Sequence, residues 1–182
     1  MSSGLTASQK KYLLQLARQA ITQYLKDKTT LEVQPEEAAL KENRGAFVTL
    51  KNGNQLRGCI GYPLPIKPLY QTIIDAAIAA ATQDYRFPPV TVEELPQIKI
   101  EISVLTLPRP IKDPTEIEVG RHGLIISQGF NKGLLLPQVP VEWGWDRETF
   151  LRHACLKAGL PEDEWQKGAT IEVFEAEVFS EE

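Results

Sequence analysis

From Ile98 to Val104 the chain alternates without a break: Ile98, Ile100, Ile102 and Val104 are apolar, while Lys99, Glu101 and Ser103 between them are polar. A period of two is the period of a β-strand, so the segment predicts a strand with one buried face. The elements around it are of mixed kind. Tyr12, Leu13, Leu16, Ala17, Ala20, Ile21, Tyr24 and Leu25 recur at helical spacing, with Ser8 as the expected N-cap of a helix over about 8–26. A short acidic segment, Pro35 to Leu40, predicts a further helical turn or two. Gly45 to Lys51 and Gln55 to Gly61 read as two strands joined at Asn52-Gly53, a dipeptide that tolerates positive φ in a tight hairpin.

Pro68 to Gln83 opens with proline and is rich in alanine, which predicts a helix with a small, closely packing face. Asp84-Tyr85-Arg86-Phe87-Pro88-Pro89 ends it. Beyond the alternating strand, Leu124 to Ser127 and Gly133 to Leu136 predict a second hairpin, with Gly129, Asn131 and Gly133 as turn residues. Asp146 caps a helix to Ala158, with Gly159 as its C′ residue and Pro161 just beyond, and Thr170 to Phe179 is the last expected strand. The order helix, hairpin, helix, strand, hairpin, helix, strand lacks regular βαβ alternation. It predicts an α+β fold with mainly antiparallel sheet flanked by helices. No repeat, low-complexity tract or long linker divides the 182 residues, so one domain over 1–182 is expected.

Twenty Lys and Arg against 24 Asp and Glu give a net charge of −4, which supplies no broad attraction for phosphate backbones or anionic membranes. The first residues lack a signal peptide's apolar stretch, and the most apolar run, Ile73 to Ala81, contains Asp75 and is too short to span a bilayer. A cytoplasmic protein with no membrane contact and no general nucleic-acid binding is expected. Two cysteines, Cys59 and Cys155, make no disulfide framework, and two histidines, His122 and His153, at no ligand spacing, predict no metal site. Phosphate-loop, dinucleotide, GxSxG and HExxH motifs are absent.

The most informative segment for chemistry is Leu56-Arg57-Gly58-Cys59-Ile60-Gly61. Plain alternation puts Arg57 and Cys59 on one face, with Leu56 and Ile60 packed behind. A guanidinium beside a thiol favours the thiolate, more strongly away from water, and the missing Cβ atoms of Gly58 and Gly61 let a backbone or a ligand approach closely. The structural alternative makes Cys59 a small buried hydrophobe and the glycines a bulge. Cys155, four residues after Leu151, belongs on a helix's apolar face. His122 heads a strand, either as a proton carrier or as a partner for a strand-end carbonyl. Asp84, Arg86 and Phe87 make a polar and aromatic turn, suited to a substrate edge or to ending a helix. His153 reads as a solvated or helix-edge residue, and burial accounts most simply for Trp143 and Trp145.

Leu56-Arg57-Gly58-Cys59-Ile60-Gly61 resembles the LRGCIG signature of the AMMECR family, also called AmmeMemoRadiSam system protein A. Arg86-Phe87-Pro88-Pro89, Glu101-Ile102-Ser103-Val104-Leu105, His122-Gly123-Leu124, Leu135-Leu136-Pro137-Gln138-Val139 and Cys155-Leu156-Lys157-Ala158-Gly159-Leu160 resemble its other blocks in order, so the likeness runs from about Gly45 to Phe179. The resemblance implies one domain in two lobes with a cleft near the signature, the N-terminal helix packing on it. It names no reaction and no cofactor. It implies Memo-like and radical-SAM proteins as partners in a shared, modification-type pathway. Two functions follow as expectations. One is an enzyme or enzyme subunit with Cys59 reactive, Arg57 orienting an anionic substrate, and His122 carrying protons. The other is a noncatalytic adaptor using the same groove. In both, Gly58, Gly61, Asp84, Arg86, Phe87 and Gln138 are candidate ligand-binding residues, and the Arg86–Pro88 loop, His122 and Gln138 are expected to converge on the Cys59 face.

Overall fold

In the computed structural model, which describes residues 4–182, the chain builds two four-stranded sheets in two compact units. The first unit runs to Leu105 and takes back Glu177–Glu182; the second is Thr106–Ala176. This is an α+β fold with antiparallel pairing, as the element order predicts.

In the first unit, α1 (Ala7–Asp27), α2 (Ala38–Lys41), β1 (Ala46–Asn52), β2 (Gln55–Tyr62), α3 (Leu69–Thr82) and β3 (Ile98–Leu105) follow one another. The alternation at 98–104 is realised: Ile98, Ile100, Ile102 and Val104 are buried. Ala46, Val48 and Leu50 of β1 bury the same way, and this sheet face packs with Leu13, Leu16, Ala17, Ala20 and Ile21 of α1 and the alanine-rich side of α3 in one core. Small side chains on α3 permit the close packing: a Cβ on Gly58 of β2 would lie 2.2 Å from the Ala80 carbonyl oxygen. The N-cap of α1 is Thr6 rather than Ser8. Thr6 and Gln9 form a reciprocal capping box, and Ser8 falls inside the helix. The β1–β2 loop is Gly53-Asn54, one residue later than Asn52-Gly53, with Gly53 at φ +59° as the first loop residue, where two-residue hairpins favour glycine.

The second unit holds β4 (Arg109–Ile111), β5 (Gly123–Gln128), β6 (Asn131–Leu135), α4 (Gln138–Trp143), α5 (Arg147–Lys157) and β7 (Thr170–Phe174), with strand order β4-β7-β5-β6. Phe150, Leu151, Ala154 and Cys155 of α5 pack on Leu124, Ile126, Ile171 and Val173 of the sheet. Cys155 is fully buried, and burial pushes its thiol pKa up. The α5 caps are those expected, Asp146 accepting from the Thr149 amide and Gly159 in the left-handed region. The hairpin turn, however, is Gly129-Phe130 alone. Asn131 and Gly133 lie within β6, where a Cβ on Gly133 would meet the backbone of α5 at Ala158.

The strand expected over 170–179 is two strands. β7 ends at Phe174, and β8 (Ala176–Ser180) joins the first sheet, whose order is β2-β1-β3-β8. Glu175, between them, is bonded twice to Thr106: the Thr106 amide donates to the Glu175 carbonyl at 2.8 Å, and the Glu175 amide donates to the Thr106 hydroxyl at 2.8 Å. β4 and α4 are further additions to the predicted elements. Both contain proline, and Pro140 is accommodated because it lies in the first turn of α4, where a missing N–H costs no helical bond. Among the described residues no helix is long and apolar enough to cross a membrane.

Candidate functional site

β2 does not alternate plainly. Its register with β1 shifts between Leu50, which pairs with Gly58, and Lys51, which pairs with Leu56, leaving Arg57 as the extra residue of a β-bulge. Paired residues share a face, so Gly58 and Ile60 join Leu50 and Val48 on the helix-covered side. Cys59 joins Thr49, and Leu56 joins Lys51, on the other. Leu56 is therefore on the Cys59 face and 40 % exposed, not behind it with Ile60.

That second face carries the polar half of each strand's alternation. Cys59, Thr49 and Glu101 form one cross-strand row over β2, β1 and β3. The Cys59 sulfur lies 3.2 Å from the Thr49 hydroxyl, and Lys51 donates to Glu101 at 3.0 Å. Phe47 and Ser103 pair in the next row, and all of these side chains are half-exposed. Thr49, Lys51, Glu101 and Ser103 were not among the candidate site residues. The period-two pattern of β1 and β3 was the signal that could have found them.

β2 is an edge strand, and its outward groups at Cys59 are held by side chains. The Asp84 carboxylate accepts from the Cys59 amide at 3.0 Å and from the Arg86 guanidinium at 2.9 and 2.7 Å. Arg86 in turn reaches the Cys59 carbonyl at 3.5 Å. Carboxylate and guanidinium thus present an acceptor and a donor to the strand edge, as a neighbouring strand would. Asp84 is 5 % exposed, and Arg86 beside it holds its carboxyl far below the usual carboxylate range. The Arg86 pKa is raised by the same pairing. Phe87 is half-buried under the Arg86 guanidinium, 5.5 Å from it.

Arg57, two residues before Cys59, is engaged as well. Its Nε and Nη2 make a bidentate pair with Glu94 at 3.0 and 3.2 Å, and its Nη1 donates to the Pro88 carbonyl at 2.9 Å. Glu94, which motif reading did not select, caps its own 3-10 turn and has its carboxyl pKa lowered chiefly by Arg57. The spaces beside Gly58 and Gly61 are filled by protein. The Ala80 carbonyl sits against Gly58, and the Phe47 ring lies 2.3 Å from where a Gly61 Cβ would be.

His122 and Gln138 belong to the second unit. His122 is 4 % exposed; its Nδ1 accepts from the Glu118 amide at 3.0 Å, and its Nε2 lies 3.5 Å from Glu175. With Nδ1 accepting, the neutral ring carries its proton on Nε2. Gln138 is exposed at the start of α4. Trp143, expected to be buried, is 70 % exposed, whereas Trp145 packs on the second core. His153 stacks on Trp145 with centroids 3.8 Å apart. Among the described residues no group of three or more His, Cys, Asp or Glu is placed to hold a metal ion.

These features define an α+β protein in which Cys59 lies on a polar sheet face, behind an edge clamped by two arginine–carboxylate pairs. The AMMECR1 family model matches residues 14–179, and the chain belongs to that family. A Methanopyrus kandleri protein is 52 % identical over 192 residues, covering 100 % of this chain and 93 % of its own. A Thermococcus gammatolerans protein is 52 % identical over 184 residues, covering 94 % and 89 %. A crystal structure of a Pyrococcus horikoshii protein matches with a TM-score of 0.77 at 48 % identity, covering 95 % of this chain and 91 % of that one.

Proposed function

We propose that this chain is a noncatalytic binding subunit that recognises its ligand or partner through the Cys59 face of the first sheet. In this reading it works in the cytoplasm beside Memo-like and radical-SAM proteins in a modification pathway. The observation that carries the reading is the commitment of the charged groups around Cys59. Arg57 is bound to Glu94 and Pro88, and Asp84 to Arg86 and the Cys59 amide, so that the nearby Arg86 charge is already paired and the thiol's side-chain hydrogen-bond partner is the neutral Thr49 hydroxyl. Nucleophilic catalysis needs a base or a stabilising charge held at the reacting atom. Recognition needs a rigid, partly exposed polar face, and a clamped strand supplies one. The AmmeMemoRadiSam resemblance supports the choice of partners.

The competing reading, thiol catalysis, has in its favour a half-exposed sulfur 3.2 Å from the Thr49 hydroxyl. Capture of Memo-like and radical-SAM proteins from a native extract by tagged wild type, Cys59→Ser and Lys51→Glu separates the two. The binding reading expects Cys59→Ser to retain both capture and pathway product, and Lys51→Glu to lose both. Retained capture with loss of product in Cys59→Ser supports catalysis instead, and failure of the wild type to capture either protein overturns the choice of partners.

A further inference from the structure

Trp143 closes α4, Gly144 follows in the left-handed region at φ +66°, and the Trp145 amide turns back to the Pro140 carbonyl at 2.8 Å. This tight exit brings the two indoles together, centroids 6.2 Å apart and planes 19° from parallel. The inner indole is fixed on both sides of its role: it packs on the second core and stacks on His153 at 3.8 Å and 7°. The outer one, Trp143, is 70 % exposed. A large apolar ring left in water but held by a second ring has little freedom left to lose on binding, the condition under which aromatic anchors contribute most.

Charge around the rings selects the occupant. Residues 142–148 carry Glu142, Asp146 and Glu148 against Arg147. Glu148 is paired with Arg152, and the Arg147 Nε donates to the Ile117 carbonyl. Glu142 and Asp146, next in sequence to Trp143 and Trp145, have no ion-pair partner among the described residues. Carboxylates beside an indole face favour a cation over that face, and tryptophan provides the strongest such face among the side chains. We propose that Trp143, with Glu142 and Asp146 close to it in sequence, is a docking site for a basic segment of a partner protein, an arginine or lysine side chain lying over the indole. The site is in the second unit and does not depend on the reading of Cys59.

The test uses the whole chain and a hexa-arginine peptide, followed by the indole N–H resonance of Trp145, which stacks on Trp143 and is kept in every variant. Saturable shifts are expected, absent with hexaglutamate. Affinity is expected to fall by about threefold or more in Trp143→Leu, whose indole is gone, and also in the double variant Glu142→Gln, Asp146→Asn. Asparagine preserves the α5 N-cap, and unchanged thermal midpoints establish that both variants stay folded. Equal affinity in both variants overturns the site. Equal binding of neutral N-acetyltyrosine amide overturns the basic partner in favour of an uncharged aromatic occupant.

Discussion

A methyl group at position 58 would lie 2.2 Å from a helix carbonyl oxygen, a distance no Cβ contact sustains. Gly58→Ala therefore has to push α3 off the sheet, and overpacking of this kind is expected to cost about 1–3 kcal/mol, read as a lower urea midpoint at unchanged slope. An unchanged midpoint would mean the helix yields freely. Asp84 makes a second residue-scale prediction. Its folded carboxyl pKa is depressed by Arg86 and the Cys59 amide, so its contribution to stability is fully present above the ordinary carboxylate pKa of about 4 and is lost as pH falls below it. Glu94, depressed by Arg57, acts in the same direction. Urea unfolding from pH 7 to pH 3 should show the wild type losing stability below about pH 4, with a shallower loss in Asp84→Asn. Parallel curves would assign the acid sensitivity elsewhere.

At the scale of elements, the ends of α1 are set by unlike devices. Thr6 accepts from the Gln9 amide, and Thr6→Ala is expected to cost about 0.5–2 kcal/mol. Lys28 ends the helix at φ +61°, and it is the sole non-glycine residue with positive φ among the described residues. The left-handed region costs a non-glycine residue about 1–2 kcal/mol, while the Lys28 ammonium, 5.5 Å from the Tyr24 ring, returns about 0.5–1. Lys28→Gly should therefore stabilise by about 0.5–1 kcal/mol, a rise of a few degrees in thermal midpoint; a fall would mean the Tyr24 contact outweighs the backbone. Strands and helices with clean periods were legible in the sequence, β3 and α1 most plainly. A bulge in the Leu56–Gly61 segment was one of the two readings, placed at the glycines, but its position at Arg57 was not legible, because one extra residue shifts the facing of its neighbours without altering composition, and Leu56 was misassigned for that reason. The break at Glu175 was equally silent, since Ile171, Val173 and the residues of β8 suit one long strand as well as two strands in different sheets.

For the molecule as a whole, each of the two units has its own core, the chain passes between units at Leu105–Thr106 and Ala176–Glu177, and the family match over residues 14–179 takes in both units. The segment Leu56–Gly61 was legible as a candidate because its residues are contiguous. Its clamps were less so: Glu94 lies 37 residues from Arg57, and Asp84 lies 25 from Cys59, so folding alone brings them together. The two thiols report on the two units separately. Cys155, fully buried, should alkylate only as fast as the second unit opens, whereas Cys59, half-exposed, should react from the native state. The rate at Cys59 tests the central claim most directly, because an activated nucleophile and a thiol on a recognition face differ there before any substrate is known. Alkylation by iodoacetamide at pH 7, resolved by mass spectrometry, is expected to be no faster at Cys59 in the native protein than at the same residue in urea; a native rate ten or more times faster would contradict the binding reading and restore Cys59 as a reactive group.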